Sequence, residues 1–416
     1  MADTSAVRQS ATQALELTAR LINNFGTRPA GSEASAGCAE AIRAEAHTFA
    51  DRTRTETFPV HPGAFLGWLR VLVVVYAVSV AFLWLGLPLV SAILVTVGLA
   101  IMIGEFFLYR EILDPLFPRR TGTNVLATLE PQREVRGELI VSGHHDSARV
   151  FNFLVHQPAL YPVRVYGGIG SLLLLEGASW ALVVQSAVTG REPTWTSAAA
   201  IGFTALFLLV GQLWWFASSR HTAGAGDNLA SSAAAVEFLR DIAGQRGEGN
   251  GLKHLRVTAA SWDAEECGLR GSRAWRRTRV ARRPDHPVWN LNLECLYDPA
   301  DFFLLTSDIN GSVDLSEELA GRCAKLLDGA GHRDVPTKPI AFLTGGTDAA
   351  EAARAGAKAT TLMGMPWGNA ERNAVYHTPA DTVDAVSEEA VAEAIGLAYD
   401  LARELDEELG GNRLCR

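Results

Sequence analysis

Residues 71–104 carry no charged side chain, and Pro193–Ser219 carry none either. Between them, Val165–Thr189 is apolar apart from Glu176. No other feature restricts the chain as much, because a bilayer core takes a helix of about 20 apolar residues. With its flanks, the first run extends over 64–109 and is long enough for two helices. Gly86-Leu87-Pro88 at its middle reads as the turn between them. Residues 165–219 supply a second pair, and Trp195, Trp214 and Trp215 near the ends suit interfacial belts. Buried helices of a soluble core are the competing reading. Four segments in pairs, with Trp near their ends, favour two transmembrane hairpins, with membrane lipid as their surroundings.

An even number of spans leaves 1–63, 110–164 and 220–416 on one side of the membrane. We read these as one discontinuous domain, interrupted by hairpins at 64–109 and 165–219. Arg52, Arg54, Arg110, Arg119, Arg120, Arg149, Arg164 and Arg220 flank the spans on that side, against Arg191 alone on the other. The positive-inside rule then places the polar portions in the cytoplasm of a multi-pass membrane protein. The first twenty residues lack the apolar core of a signal peptide and read as an amphipathic helix. Glu176, inside a span, is either a functional group or one that pairs within the bundle. The five cysteines form no CxxC pair, which argues against a disulfide scaffold or zinc ribbon and fits reduced thiols. Net charge is −9, with no basic block, and this excludes a nucleic-acid partner.

The polar portions alternate short apolar runs with helical patterns. Gly122–Leu129, Gly137–Gly143, Leu255–Ser261, Val288–Leu293, Phe302–Leu305 and Lys358–Met363 read as strands. Helices are expected over 228–242, 313–328, 348–355 and 388–408. This order predicts an α/β fold with a mostly parallel mixed sheet sandwiched by helices. Ligands bind such sheets beyond the carboxyl ends of the strands.

Polar motifs fall at those ends. Ser142-Gly143-His144-His145-Asp146 follows a strand; a histidine there is a natural metal ligand, and Asp146 is placed to hold its ring from behind. Alone, this motif is weak. Asp227-Asn228 opens a helix, where an acid serves either as an N-cap or as a carboxylate bridging two cations. Trp262-Asp263-Ala264-Glu265-Glu266-Cys267-Gly268-Leu269-Arg270-Gly271-Ser272 is the most specific of the motifs. Strand-end acids are costly unless solvated, paired or metal-bound; one can ligate while its neighbour serves as a general base. Asn290-Leu291-Asn292-Leu293-Glu294 ends another strand in a carboxylate. Tyr376-His377-Thr378-Pro379-Ala380-Asp381 places a histidine in a Pro-containing loop, with Asp381 to orient it or to cap. Asp348 adds one more acid before a helix, again with an N-cap as its alternative role. Imidazoles and carboxylates together suit zinc, with cobalt or manganese as alternatives.

The ordered set resembles the dinuclear-zinc peptidase family that includes bacterial leucyl aminopeptidases and glutamate carboxypeptidase. That family's pattern runs H-x-D, D-N or D-D, E-E-x-G-L-x-G-S, N-x-D and Y-H-x-x-x-D. Arg28-Pro29-Ala30-Gly31-Ser32 and Asn124-Val125 also look like the family's, and the likeness covers 1–63 and 120–410. The resemblance implies two zinc ions: His144, Asp227 and Glu294 on one, and Asp227, Glu266 and His377 on the other. It implies Glu265 as general base, with Asp146, Asp348, Tyr376 and Asp381 around the ligands. Glu294 departs from the family's usual Asp, Ala230-Ser231 from its Ser-Gly, and Ala349 from a frequent His. The hairpins are the largest departure, the second being inserted between His144 and Asp227. The expected activity is hydrolysis of a peptide or amide bond by an aminopeptidase. A carboxypeptidase or deacylase, and a non-catalytic membrane scaffold, are the alternatives; four spans with one charged residue offer little for a transport pathway.

Overall fold

A computed structural model describes residues 4–280, 285–329, 334–368 and 374–411. The chain divides into two compact units, one of Met1–Pro62, Arg119–Arg149 and His221–Arg416, the other of Gly63–Pro118 and Val150–Arg220. Segments 110–118 and 150–164 thus fall with the apolar runs.

The first unit is an α/β domain built on a nine-stranded mixed sheet. Across it run Arg52–Val60, Arg120–Leu129, Leu255–Trp262, Gly137–His144, Val288–Glu294, Lys358–Gly364, Phe302–Asp308 and Thr337–Pro339. The two-residue strand Val313–Asp314 pairs with Phe302–Asp308. Leu255–Trp262, Gly137–His144, Val288–Glu294 and Lys358–Gly364 are successive parallel neighbours. Their register sets His144 opposite Trp262 and Met363 opposite Glu294, so the carboxyl ends of four strands open on one edge. Arg120–Leu129 runs antiparallel to Leu255–Trp262, and Lys358–Gly364 antiparallel to Phe302–Asp308, which makes the sheet mixed.

One face of the sheet is covered by helices Thr4–Phe25, Glu33–His47, Ala230–Gly247, Glu317–Gly329 and Glu388–Gly411 around a large apolar core. Ala230–Gly247 lies deepest. Its alanines at 230, 233, 234 and 235 are buried and let the helix backbone approach the sheet. At Gly143 a Cβ would stand 2.8 Å from Ser231 Cβ and Ser232 N, so only glycine permits this approach. Helices Arg270–Val280 and Ala349–Arg354 belong to the second core, with Trp262 and Trp275 tilted against each other 5.5 Å apart.

The second unit holds four helices long and apolar enough to cross a membrane: Gly67–Trp84, Pro88–Phe107, Pro158–Thr189 and Thr196–Trp215. The first and second meet at Gly86, in the left-handed region, and Pro88, which fits the first helical turn. Large apolar side chains point outward on these helices, Leu208 being 81% and Val188 80% exposed. Polar bonds link the helices inside: Tyr76 Oη donates to Phe203 O at 2.8 Å, and Ser91 and Ser179 share a hydrogen bond of 3.0 Å. Glu176 accepts from Thr96 Oγ1 at 2.5 Å and from Trp180 Nε1 at 3.0 Å, so it is paired within the bundle.

Candidate metal centre

His144 is the last residue of its strand and fully buried. Its Nε2 lies 3.3 Å from Asp227 Oδ1, 3.3 Å from Glu294 Oε1 and 3.7 Å from Glu265 Oε2. The other ring nitrogen, Nδ1, is 3.3 Å from Asp146 Oδ1. The second oxygen of Asp227 faces His377 Nε2 at 3.2 Å, and Glu266 Oε2 stands 3.6 Å from that nitrogen. Asp227 therefore lies between the two imidazoles, one oxygen toward each. The ligand atoms of His144, Asp227 and Glu294 lie within 4.8 Å of one another, as do those of Asp227, Glu266 and His377. His144, Glu265 and Glu266 form a third such group.

These separations suit a shared ion. Four ligands placed tetrahedrally about 2.0–2.1 Å from zinc stand about 3.3–3.4 Å apart. Neither nitrogen of His144, nor Asp227 Oδ2, has a hydrogen-bond partner, although all are buried. Groups this close, buried and not bonded to each other are expensive in protein alone and fit coordination to cations. The donor set is imidazole and carboxylate, as zinc, cobalt and manganese accept.

The electrostatics agree. Burial lifts Glu265 and Glu266 well above the usual carboxylate range, and neighbouring acids add to the rise. Glu294 and Asp348 are raised for the same first reason. Burial opposes the charge of Asp227, but His144 and His377 outweigh it and hold the group below its ordinary value. Burial likewise opposes a proton on His144, which Glu265 and the other acids around the ring more than offset.

Local bonds explain why each candidate ligand stands where it does. Asp146 accepts from Glu265 N at 3.0 Å and Glu266 N at 3.3 Å, and so ties the two glutamates to the His144 strand. Asp381 accepts from Gly226 N at 2.8 Å and Asp227 N at 3.4 Å; burial pushes its carboxyl up to about 7. Asn228 donates to Leu293 O at 2.8 Å and accepts from Cys295 N at 3.3 Å, which fastens the Asp227 loop to the strand ending in Glu294. The Asp227–Asn228 peptide is cis. Gly226 lies under Tyr297, where a Cβ would be 2.0 Å from the ring. The Tyr376 ring packs tilted against that of His377, centroids 4.1 Å apart and planes at 46°.

Neither of the two N-cap alternatives is matched by a side-chain capping bond. The regular helix starts at Ala230, after Asp227. Asp348 does occupy a cap position, but its side chain makes no capping bond and instead accepts from Ser272 Oγ at 2.5 Å. Several buried polar groups nearby were given no role from sequence. Asp263 accepts from Thr123 N at 3.0 Å, and Asn124 donates to Gly271 O at 2.9 Å while accepting from Asp263 N at 3.1 Å. Arg28 is fully buried and bonds to the loops on either side of the site. Asn124 and Arg28 stood in the stretches that resembled the family, and that was their only signal.

A mixed α/β sheet with imidazoles and acids gathered beyond its parallel strands defines a metallopeptidase-type domain. Residues 210–402 match the family model described as peptidase family M28. The matched segment includes Asp227, Glu265, Glu266, Glu294 and His377; His144 precedes it. Among solved structures the chain is similar to the LapA aminopeptidase of Legionella pneumophila, at 14% identity over 97% of this chain and 74% of that one, TM-score 0.54. It is similar to BSAP, a zinc aminopeptidase from Bacillus subtilis, at 12% identity over 94% and 95%, TM-score 0.56. An Acidobacteriales bacterium glutaminyl cyclase shares 13% over 96% and 95%, TM-score 0.55. Likeness at these identities speaks for the fold. No curated protein sequence matches the chain.

Proposed function

We propose that the protein is a membrane-anchored two-zinc peptidase that removes residues from the free amino end of peptides. One observation carries this reading: Asp227 presents an oxygen to each of two histidines, and each histidine brings its own glutamate. His144, Asp227 and Glu294 would hold one zinc, and Asp227, Glu266 and His377 the other. Zinc so held supplies Lewis-acid polarisation of the scissile carbonyl and of the attacking water. Glu265 takes that water's proton and passes it to the departing amine, a role that a carboxyl lifted by burial suits. Asp146 keeps the imidazole of His144 oriented and fixes the main chain of both glutamates. Asp348, Tyr376 and Asp381 support the ligands from behind. Preservation of the whole ligand set speaks against a scaffold without activity, in which these buried acids would only cost stability.

The test uses full-length protein in detergent, loaded with zinc. Aminoacyl amides and short peptides with a free amine should be hydrolysed, and their N-acetylated counterparts left intact. Cleavage of the acetylated set with equal efficiency would move the reading to a carboxypeptidase or deacylase. A glutaminyl peptide belongs in the panel, because glutaminyl cyclases are among the similar structures; cyclisation without hydrolysis would replace the peptidase reading.

Anchoring rests on the four apolar helices and their exposed leucines, valines and tryptophans. The arginines flanking the helix ends, against Arg191 in the opposite loops, support a cytoplasmic polar unit. The protein is expected to stay in the membrane pellet through alkaline carbonate extraction. Protease should digest the polar unit in inside-out vesicles and leave it protected in right-side-out ones. Release by carbonate would overturn the anchoring, and the reverse protection pattern would overturn the orientation.

A further inference from the structure

Arg28 has an environment that packing alone does not explain. Its side chain is fully buried, yet each of its hydrogen bonds ends on a main-chain carbonyl. Nε donates to His145 O at 2.7 Å, Nη1 to Gly26 O at 2.8 Å and Ala223 O at 2.9 Å, and Nη2 to Gly224 O at 3.0 Å. Main-chain bonds add to the clasp: Arg28 N donates to Ser147 Oγ at 3.0 Å, and Ser147 N donates to Arg28 O at 2.9 Å. One guanidinium thus joins the loop after His144 to the loop before Asp227. These ligands are far apart in sequence, with the second apolar hairpin inserted between them.

A buried charge is costly, and an apolar side chain of similar length often serves packing as well or better. Here the charge has a purpose the packing lacks. Burial works against it, while Asp146 and Asp381 are among the groups that favour it. Asp146 faces His144 Nδ1 and holds the amides of both glutamates; Asp381 holds the amides of Gly226 and Asp227. Arg28 therefore balances the two acids that orient the metal-binding side chains, and clamps the loops that carry them.

We propose that Arg28 is a positioning residue of the metal centre, setting the spacing of His144 and Asp227 through their loops without touching either ligand. This rests on the two-zinc reading above. It predicts that Arg28 governs zinc affinity of the folded protein in addition to its stability. Groups that orient metal ligands typically account for about 10–100-fold in affinity.

The experiment measures zinc dissociation constants by chelator competition, and melting temperatures with and without zinc, on full-length protein in detergent. Arg28→Met, which removes charge and donors but keeps length, should bind zinc about 10–100-fold more weakly. The zinc-induced rise in melting temperature should shrink with it, since that rise follows affinity. Arg28→Lys, keeping the charge with poorer geometry, should fall between wild type and Met. Asp406→Ala serves as the stability control. Asp406 accepts from Lys253 N, His254 N and Leu255 N at the start of a strand, opposite the site edge. That variant should melt earlier yet bind zinc as wild type does. Should Arg28→Met melt earlier with wild-type zinc affinity, Arg28 is a staple of the fold and the proposal is wrong. If the Met variant does not fold, wild-type affinity in Arg28→Lys overturns it equally. A wild-type protein that takes up no zinc overturns the two-zinc reading itself, and the Arg28 proposal goes with it.

Discussion

Glu265→Gln should keep both zinc ions and lose about 10³-fold in kcat, within the range a positioned general base contributes. The substitution is nearly isosteric, and Glu265 is not needed for either three-residue ligand set sharing Asp227. What disappears is the acceptor for the water's proton, so KM should change little while kcat falls. Stability offers a second readout. Burial and nearby acids raise this carboxyl in the fold, so its folded value lies above its unfolded one. For an acid this means the folded state loses stability as pH rises through that window. Removing the charge should therefore leave the metal-free variant melting no lower than wild type at neutral pH. Metal content is read by elemental analysis and turnover on a free-amine substrate. Wild-type turnover in this variant would remove Glu265 from the chemistry.

Asp227→Asn is expected to have the widest effect of any single change. Each oxygen of Asp227 faces a different histidine, so an amide nitrogen in place of one oxygen takes a ligand from one set. In the two-zinc reading it also removes the negative charge that the two cations would share. Zinc should fall from two per chain to at most one, and kcat/KM by at least about 10³-fold, equivalent to about 4 kcal/mol of barrier. Glu294→Ala makes the informative contrast. It touches only the His144 side and leaves Asp227, Glu266 and His377 intact, so one zinc should remain with near wild-type affinity. Two zinc ions bound normally by Asp227→Asn would end the bridging role. Loss of both from Glu294→Ala would show that the two positions do not fill independently.

Strands buried on both faces were plain in the sequence because parallel central strands read as short, mainly apolar runs. Gly137–His144 and Val288–Glu294 were expected to within a residue or two. Arg52–Val60 was not, since it is a mostly exposed edge strand whose side chains are polar. Helix Arg270–Val280 carries five arginines and shows no apolar stripe by composition; its burial comes through Trp275. The helix expected to begin at 313 begins at Glu317. Val313–Asp314 joins the sheet instead, and Ser316 Oγ accepts from Leu319 N at 3.2 Å to start the helix. Pairing with a distant strand overrode the local helical pattern there, as tertiary context often does.

At the site, residue type and position relative to strand ends were legible in His144, Glu265, Glu266 and Glu294, because acids and imidazoles following apolar runs are conspicuous. Asp227 and Asp348 were ambiguous, since helix starts favour the same residues that ligation does. Arg28 showed only through the stretch that resembled the family: three of its four carbonyl partners lie 117 to 196 positions away, and a carbonyl has no sequence signature.

The chain's own order of residues determined two things: helices long and apolar enough to cross a membrane, and acids and histidines at the ends of strands, both consequences of local composition. Convergence of the five candidate ligand side chains within a few ångströms was decided by tertiary structure. It depends on the parallel register of four strands and on long-range bonds made by Asp146, Asp381, Asn228 and Arg28. Those bonds depend on where the backbone comes together in space, which no local pattern of side chains encodes.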